Sequence, residues 1–153
     1  MIEFIKGDIW ETDCNAIVIP TNCGGVAGAG LAEQAKNKSS IWFEEYSKVC
    51  NELDLKSGML FTSRSNFEIT SRNIYLINAF TKDYWSQNSK YSSVAACIVE
   101  LGRLNPKIKS IAVPALGCGF GNLKWSIVRN FMVEQFTDSP IHFFVYESLE
   151  EPN

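Results

Sequence analysis

The chain has 153 residues, of which 46% are hydrophobic and 20% are charged, and its formal net charge at pH 7 is −3. This length and composition are typical of one globular domain, and we expect a single domain over residues 1–149 followed by a frayed tail at residues 150–153. No block of lysines or arginines is present, which argues against broad, charge-driven binding to nucleic acid but leaves open a local basic groove or a nucleotide ligand.

Strand-like and helix-like segments alternate along the chain. Apolar or alternating runs predict strands at residues 2–6, 16–20, 59–63, 74–79, 110–113 and 141–146. Apolar residues at helical spacing predict helices at residues 30–35, 40–50, 91–101 and 128–136. Because such alternation requires crossover connections, the sequence predicts an α/β fold with a mixed or largely parallel sheet covered by helices on both sides.

A first glycine-rich segment, GGVAGAGL at residues 24–31, follows a continuous apolar strand and opens a predicted helix. Its glycines allow a ligand to approach the backbone, and the free N–H groups of a helix N-terminus favour a phosphate. The spacing matches neither the GxGxxG dinucleotide pattern nor a P-loop. A mobile connection that binds nothing is the alternative. Just before this loop, Asn22 is either a turn-capping residue or a hydrogen-bonding partner for a sugar hydroxyl.

A second glycine-rich segment, GCGFGN at residues 117–122, also lies between a predicted strand and a predicted helix. Ligands of such sheets bind beyond the carboxyl ends of the strands, where both loops fall, so two groups of amides would hold a diphosphate from two sides. Phe120 either lies against a ribose or base or packs into the core. Cys118 has no histidine near it in sequence, which argues against a catalytic cysteine.

The five cysteines show no CxxC spacing, which favours reduced thiols over a zinc site or a disulfide framework. We therefore expect a cytoplasmic protein without metal or cofactor. No apolar stretch approaches the ~20 residues of a membrane span, so we expect neither a signal peptide nor an anchor.

Several motifs together resemble the macrodomain, the ADP-ribose-binding module. They are GDI at residues 7–9, AIVIPTN at 16–22, GAGLA at 28–32, PALGCGFGNLKW at 114–125 and FVY at 144–146. The resemblance covers nearly the whole chain, and the Leu-x-Trp ending of the second loop is specific, whereas the first glycine loop alone is not. It implies a three-layer α/β/α fold around a mixed, largely parallel sheet of about six strands.

The resemblance also implies a role for each matching residue in binding ADP-ribose. Asp8 would accept a hydrogen bond from the adenine amino group, with Ile9 beside it, and Tyr146 would border the adenine. Asn22 would contact the distal ribose. The diphosphate would lie between the two glycine loops, at Gly28, Ala29, Gly30 and Leu31 on one side and Gly117, Cys118, Gly119, Phe120 and Gly121 on the other.

The segment INAFTKDYW at residues 77–85 is similar to one branch of the family. That branch contains the terminal ADP-ribose protein glycohydrolase and the bacterial antitoxin that removes ADP-ribose from DNA; the yeast-type ADP-ribose 1″-phosphate phosphatase is a near relative. A lysine of this branch acts at the anomeric carbon of the distal ribose, which implies a catalytic role for Lys82 together with Asn22. Of the Asn-Ala-Ala-Asn motif of many macrodomains only Asn22 remains. Gly121 stands where the protein-directed glycohydrolase has an acid and the DNA-directed relatives have glycine.

The preferred hypothesis is a hydrolase that removes ADP-ribose from a modified macromolecule, an ADP-ribosyl glycohydrolase. A phosphatase that acts on free ADP-ribose 1″-phosphate and a non-enzymatic binder of ADP-ribose or a related nucleotide signal remain alternatives. The expected partners are ADP-ribose or a derivative, with ADP-ribosylated DNA and ADP-ribosylated protein as candidates, and no membrane. We expect a monomer.

The chemistry of the residues near Lys82 stays open at this stage. Lys82 is a nucleophile only as the neutral amine, and as a cation it would hold the substrate or the departing group. His142 is predicted to be a strand-face residue, and Asp83 is a candidate acid or base. Tyr84 and Trp85 either shape the distal ribose pocket or pack against the protein.

Overall fold

A computed structural model describes residues 1–63 and 74–148, so the predicted tail lies outside the described residues. The described residues form six strands and four α-helices, and a short 3-10 helix, Ile9–Glu11, follows the first strand. The strands are β1 Ile2–Ile5, β2 Ala16–Asn22, β3 Leu60–Ser63, β4 Tyr75–Lys82, β5 Ser110–Val113 and β6 His142–Tyr146. The helices are α1 Gly30–Lys38, α2 Ser40–Glu52, α3 Tyr91–Gly102 and α4 Trp125–Phe136.

The strands form one sheet in the order β1-β6-β5-β2-β4-β3. All neighbours are parallel except β3, which pairs antiparallel with β4 at the edge. The predicted mixed, largely parallel sheet of six strands is therefore confirmed. Strand β4 ends at Lys82 rather than at the predicted residue 79, because β2 pairs with it as far as Asn22 and Lys82.

Helices cover both faces of the sheet, which confirms the three layers. Strand β2 is buried on both sides, since Ala16 and Val18 contribute to one apolar cluster while Ile17 and Ile19 contribute to the other. Helices α3 and α4 pack on the first face, and α1, α2 and the 3-10 helix pack on the second. Within residues 1–63 and 74–148, no helix is long and apolar enough to cross a membrane.

Candidate functional site

The crevice between β2 and β5 is the place where the chain leaves neighbouring strands in opposite directions. These two parallel strands pair directly. The chain passes from β2 to α1 on one face of the sheet and from β5 to α4 on the other face. In open α/β sheets, such a reversal opens a crevice at the carboxyl ends of the strands, where ligands bind. Both glycine-rich loops border this crevice.

The side chain of Asn22 organises the first glycine loop. Its Oδ1 accepts hydrogen bonds from the backbone N–H groups of Gly24, at 3.0 Å, and Val26, at 3.3 Å, while its Nδ2 donates to the carbonyl of Val26 at 2.9 Å. Asn22 is 6% exposed. The turn-capping role predicted as one alternative is confirmed, and the contact with a distal ribose stays a prediction.

Tyr46, a buried residue of α2, is hydrogen-bonded to Asn22. Its hydroxyl donates to the Asn22 carbonyl at 2.6 Å and lies 3.1 Å from Asn22 Oδ1. The ring stacks on Trp42, with centroids 5.3 Å apart, and lies beside Phe80 at 6.4 Å. Burial raises the pKa of Tyr46, so the hydroxyl keeps its proton and remains a donor. The sequence placed Tyr46 only on the apolar face of a helix and gave no sign of this polar contact.

The N-terminus of α1 presents amide groups to the crevice without a capping side chain. Ala29 is its N-cap residue and supplies no side-chain hydrogen bond, so the first free N–H groups, of Gly30 and Leu31, have no partner inside the helix. Together with the helix dipole they favour a phosphate at this end. Gly30 has a φ of +60°, a conformation that glycine adopts without strain.

The second glycine loop is held by contacts that leave no room for side chains at two glycines. A Cβ added at Gly121 would lie 2.4 Å from the Gly117 carbonyl oxygen and 2.5 Å from Ser89 Oγ. At Gly117, where φ is +76°, it would lie 2.8 Å from Leu123 Cδ1. The acid that the protein-directed branch carries therefore cannot occupy position 121 in this loop conformation.

The amides of this loop divide into two groups. Cys118 N–H donates to the carbonyl of Ala115 at 3.1 Å, and its side chain is buried, so this residue stabilises the turn. Within the described part of the chain, the N–H groups of Gly119, Phe120 and Gly121 donate to no protein acceptor. These three amides are the ones available to an anion, and the binding role predicted for Cys118 stays a prediction.

The two loops meet across the crevice. The Phe120 ring is 71% exposed, and two of its carbons lie 3.6 Å from where a Cβ on Gly30 would stand. The alternative that Phe120 packs into the core is therefore wrong. The two loops are far apart in sequence but close in space. This proximity is required if they hold a diphosphate from both sides.

Lys82 and Asn22 are brought together at the end of the sheet. The pairing of β2 and β4 shifts by one residue after Thr21, so that Asn22 pairs with Lys82 instead of Thr81. Such irregularities re-aim side chains and occur beside functional sites. Lys82 is half-buried, and this burial lowers its pKa, which increases the fraction of neutral amine.

The segment that follows Lys82 is tied to the first loop through Asp83. Its carboxylate accepts the N–H of Ser57 at 3.1 Å, and its carbonyl accepts the N–H of Cys23 at 3.2 Å. Asp83 therefore holds the backbone in place, and its role as an acid or base stays a prediction. Burial, with the nearby Asp83 and Cys50, raises the pKa of Cys23 to about 11, so its thiol is protonated at neutral pH and is a weak nucleophile.

Asp8 and Tyr146 lie at the far end of the crevice, at the ends of β1 and β6. Ile5 and Tyr146 are register partners, and Asp8 follows three residues after Ile5. One carboxylate oxygen of Asp8 caps the 3-10 helix by accepting the N–H of Trp10 at 2.9 Å, while the residue itself is exposed. Ile9 is buried beside it. Their contacts with an adenine stay predictions.

His142 begins β6 and stacks on Phe144, with ring centroids 4.1 Å apart, and its Nε2 lies 2.7 Å from Glu3 Oε2. It is a strand residue, as predicted, and it lies at the amino end of β6, away from the crevice. Among residues 1–63 and 74–148, no group of three or more His, Cys, Asp or Glu side chains is placed to hold a metal ion.

The family model for the Macro domain matches residues 18–132. The chain belongs to the macrodomain family. This macrodomain is similar to the macrodomain of DarG from Mycobacterium tuberculosis, with a TM-score of 0.88 and 31% identity over 97% of this chain and 98% of that one. It is also similar to DarTG of Thermosipho africanus in complex with ADP-ribose, with a TM-score of 0.89 and 27% identity over 98% of this chain and 42% of that one.

A curated relative, the DNA ADP-ribosyl glycohydrolase of Mycobacterium tuberculosis, is 34% identical over 142 residues, which are 92% of this chain. The macrodomain described here spans 40% of the length of that relative.

Proposed function

We propose that this macrodomain binds ADP-ribose and is a hydrolase that releases it from modified DNA. The observation that carries the proposal is the convergence of two sets of free amides, from the α1 N-terminus and the second glycine loop, on a crevice that ends at the paired Asn22 and Lys82. The fold and the similarity to proteins named for ADP-ribose and for DNA ADP-ribosyl glycohydrolase activity support it.

The order of the strands matches the order of the parts of ADP-ribose. From β1 to β4, the sheet presents first Asp8 and Tyr146, then the two glycine loops, and last Asn22 and Lys82. An ADP-ribose with its adenine at Asp8 would place its diphosphate at the loops and its distal ribose beside Lys82. The bond to be broken then lies beside Lys82, which is only half-buried and so leaves access for a macromolecule.

The proposed chemistry is replacement of the attached base at the anomeric carbon of the distal ribose. In the overall reaction water supplies the hydroxyl to that carbon, and the departing group takes up the proton. Burial favours the neutral amine of Lys82. Attack by its lone pair on this carbon would break the bond to the DNA, and water would then break the bond to the lysine and restore the free amine. Asn22 positions the loop around the ribose through its hydrogen bonds to Gly24 and Val26.

DNA is favoured over protein as the modified macromolecule by Gly121. The protein-directed branch has an acid at this position, and here the Gly117 carbonyl and Ser89 Oγ fill the space that its Cβ would need. Lysine chemistry in this chain must therefore proceed without that carboxylate.

A substrate panel tests the proposal. Calorimetry with ADP-ribose comes first, followed by turnover of an ADP-ribosylated single-stranded DNA, an ADP-ribosylated protein and ADP-ribose 1″-phosphate. We expect binding and turnover of the DNA, and loss of turnover in Lys82→Ala. Lys107→Ala is the matched control. Lys107 is an exposed lysine near the amino end of β5, whereas the crevice lies at the carboxyl ends of the strands. Turnover of the phosphate ester alone would favour the phosphatase, and binding without any turnover would favour a non-enzymatic binder.

A further inference from the structure

Two large aromatic side chains, Tyr84 and Trp85, are exposed directly beside the proposed catalytic lysine. They follow Lys82 by two and three residues and are 62% and 65% exposed. The other three tryptophans are 8%, 0% and 5% exposed. The alternative that Tyr84 and Trp85 pack against the protein is therefore wrong. Scattered exposed apolar residues are ordinary, whereas two adjacent exposed aromatics form a contiguous apolar patch, and such patches mark binding surfaces when they are large.

Hydrogen bonds fix the conformation of the turn that carries this pair. Gln87 N–H donates to the Tyr84 carbonyl at 3.2 Å, and Tyr84 N–H donates to Gln87 Oε1 at 3.3 Å. At the start of the turn, Asp83 accepts the N–H groups of Ser57 and Cys23. The pair thus stands on a segment fixed to the first glycine loop.

The other end of the turn is fixed to the second glycine loop. Ser89 N–H donates to the Gly121 carbonyl at 3.1 Å, and Asn122 Nδ2 donates to Asn88 Oδ1 at 2.8 Å. The turn therefore bridges both loops that border the crevice. The backbone of such a fixed segment loses little conformational entropy when its side chains bind, which suits a surface for a ligand that leaves the crevice.

Basic residues outnumber acidic residues around the turn, which suits the phosphate backbone of DNA, although the net charge of the chain is −3. Two exposed lysines, Lys90 and Lys124, stand within two residues of the hydrogen bonds that join the turn to the second glycine loop. Residues 83–90 and 114–126 contain one acidic residue, Asp83, whose carboxylate is occupied by Ser57 N–H. Aromatic faces interleaved with lysines are typical of surfaces that bind single-stranded nucleic acid without reading its sequence.

Resting on the proposed function, we infer that Tyr84 and Trp85 form a stacking surface for a base of the single-stranded DNA that carries the ADP-ribose. The crevice holds the ADP-ribose, and the strand leaves it past the turn. Stacking on Trp85 then raises the affinity for modified DNA without contributing to the affinity for free ADP-ribose.

Tryptophan fluorescence tests the inference without any turnover. An unmodified nine-nucleotide single-stranded DNA is titrated into the protein saturated with ADP-ribose. Because the remaining tryptophans are buried, we expect the DNA to quench emission in the wild type and not in Trp85→Phe. Tyr75→Ala is the matched control, since Tyr75 is a 44% exposed aromatic residue at the opposite end of β4, and its quenching should equal that of the wild type.

Kinetics give the second measurement. Trp85→Ala should raise KM for the ADP-ribosylated oligonucleotide about 5- to 150-fold, the range expected for the loss of one stacked base, while the Kd for ADP-ribose is unchanged. Trp85→Phe should retain most of the affinity, and Tyr75→Ala all of it. An unquenched wild type together with an unchanged KM in Trp85→Ala would overturn the stacking surface. A raised KM for ADP-ribosylated protein alone would also overturn it, by assigning the surface to a protein partner.

Failure of the proposed function has a different signature. If the wild type turns over no ADP-ribosylated DNA and the oligonucleotide still quenches Trp85, the stacking surface is supported and the glycohydrolase proposal is lost. If the oligonucleotide quenches no emission and the modified oligonucleotide is turned over normally by Trp85→Ala, the glycohydrolase proposal stands and the stacking surface is lost.

Discussion

Replacing Gly121 with alanine should displace the second glycine loop. The added Cβ would lie 2.4 Å from the Gly117 carbonyl oxygen, 2.5 Å from Ser89 Oγ and 2.9 Å from the Gly117 carbonyl carbon. The Gly117 carbonyl is held by Leu123 N–H at 2.9 Å, so the loop cannot yield without losing that hydrogen bond. Overpacking of this kind costs about 1–3 kcal/mol, which lowers Tm by about 2–12 °C in a domain of this size.

The same substitution should weaken ADP-ribose binding, because the free amides of Gly119, Phe120 and Gly121 move with the loop. Loss of one hydrogen bond to a charged phosphate is worth about 1.5–3 kcal/mol, so the Kd should rise about 10- to 150-fold. Calorimetry and thermal unfolding measure the two effects.

Gly119→Ala is the matched control, because a Cβ at Gly119 meets nothing within 4 Å. Its Tm without ligand should equal that of the wild type, whereas its Kd should rise if the diphosphate occupies the space beside it. A Gly121→Ala protein with the wild-type Tm and Kd would refute the account of the second loop.

Three further predictions concern the side chains around the first loop. Because burial lowers the pKa of Lys82, kcat should rise about tenfold per pH unit below that pKa and level off above it, and a fall of kcat with rising pH would assign Lys82 a cationic role instead. Tyr46→Phe keeps the stack on Trp42 but removes the donor to the Asn22 carbonyl. Thermal or urea unfolding should show that the free energy of unfolding falls by about 1–3 kcal/mol, and calorimetry should show a weaker affinity for ADP-ribose. Unchanged values would exclude Tyr46 as a support of the loop. Because the pKa of Cys23 is raised to about 11, its alkylation by iodoacetamide at pH 8, followed by mass spectrometry, should be at least about tenfold slower in the folded protein than in denaturant, and equal rates would contradict the burial of this thiol.

The sheet and its glycine loops were predictable because local patterns determine them. Residues 16–21 of β2 are a continuous run of apolar and β-branched residues, which few structures other than a strand buried on both faces accommodate. The end of β4 was predicted too early, at Ala79, since Thr81 and Lys82 are polar. Pairing with β2 extends the strand to Lys82, and only the tertiary structure supplies that partner.

The supports of the site could not be predicted, because they depend on contacts between residues distant in sequence. Tyr46 and Asn22 are 24 residues apart, and an aromatic at helical spacing does not disclose where its hydroxyl points. Likewise, the need for glycine at position 121 comes from the folded conformation of the loop, which places the Gly117 carbonyl there, and from Ser89, which lies on another segment. The exposure of Trp85 was equally hidden, because tryptophan in a sequence predicts burial more readily than exposure.

Both glycine loops present free amides to the crevice, although different contacts fix the two loops. These similar amides limit what can orient the proposed ligand. The first loop is held by the Asn22 side chain, the second by glycines that leave no space for a Cβ. Both present amides to the centre of the crevice, where a diphosphate would have two similar halves. Amides alone therefore cannot distinguish the two directions in which ADP-ribose could bind. The direction must come from the ends of the crevice, where Asp8 offers a carboxylate oxygen at one end and Lys82 a partly desolvated amine at the other.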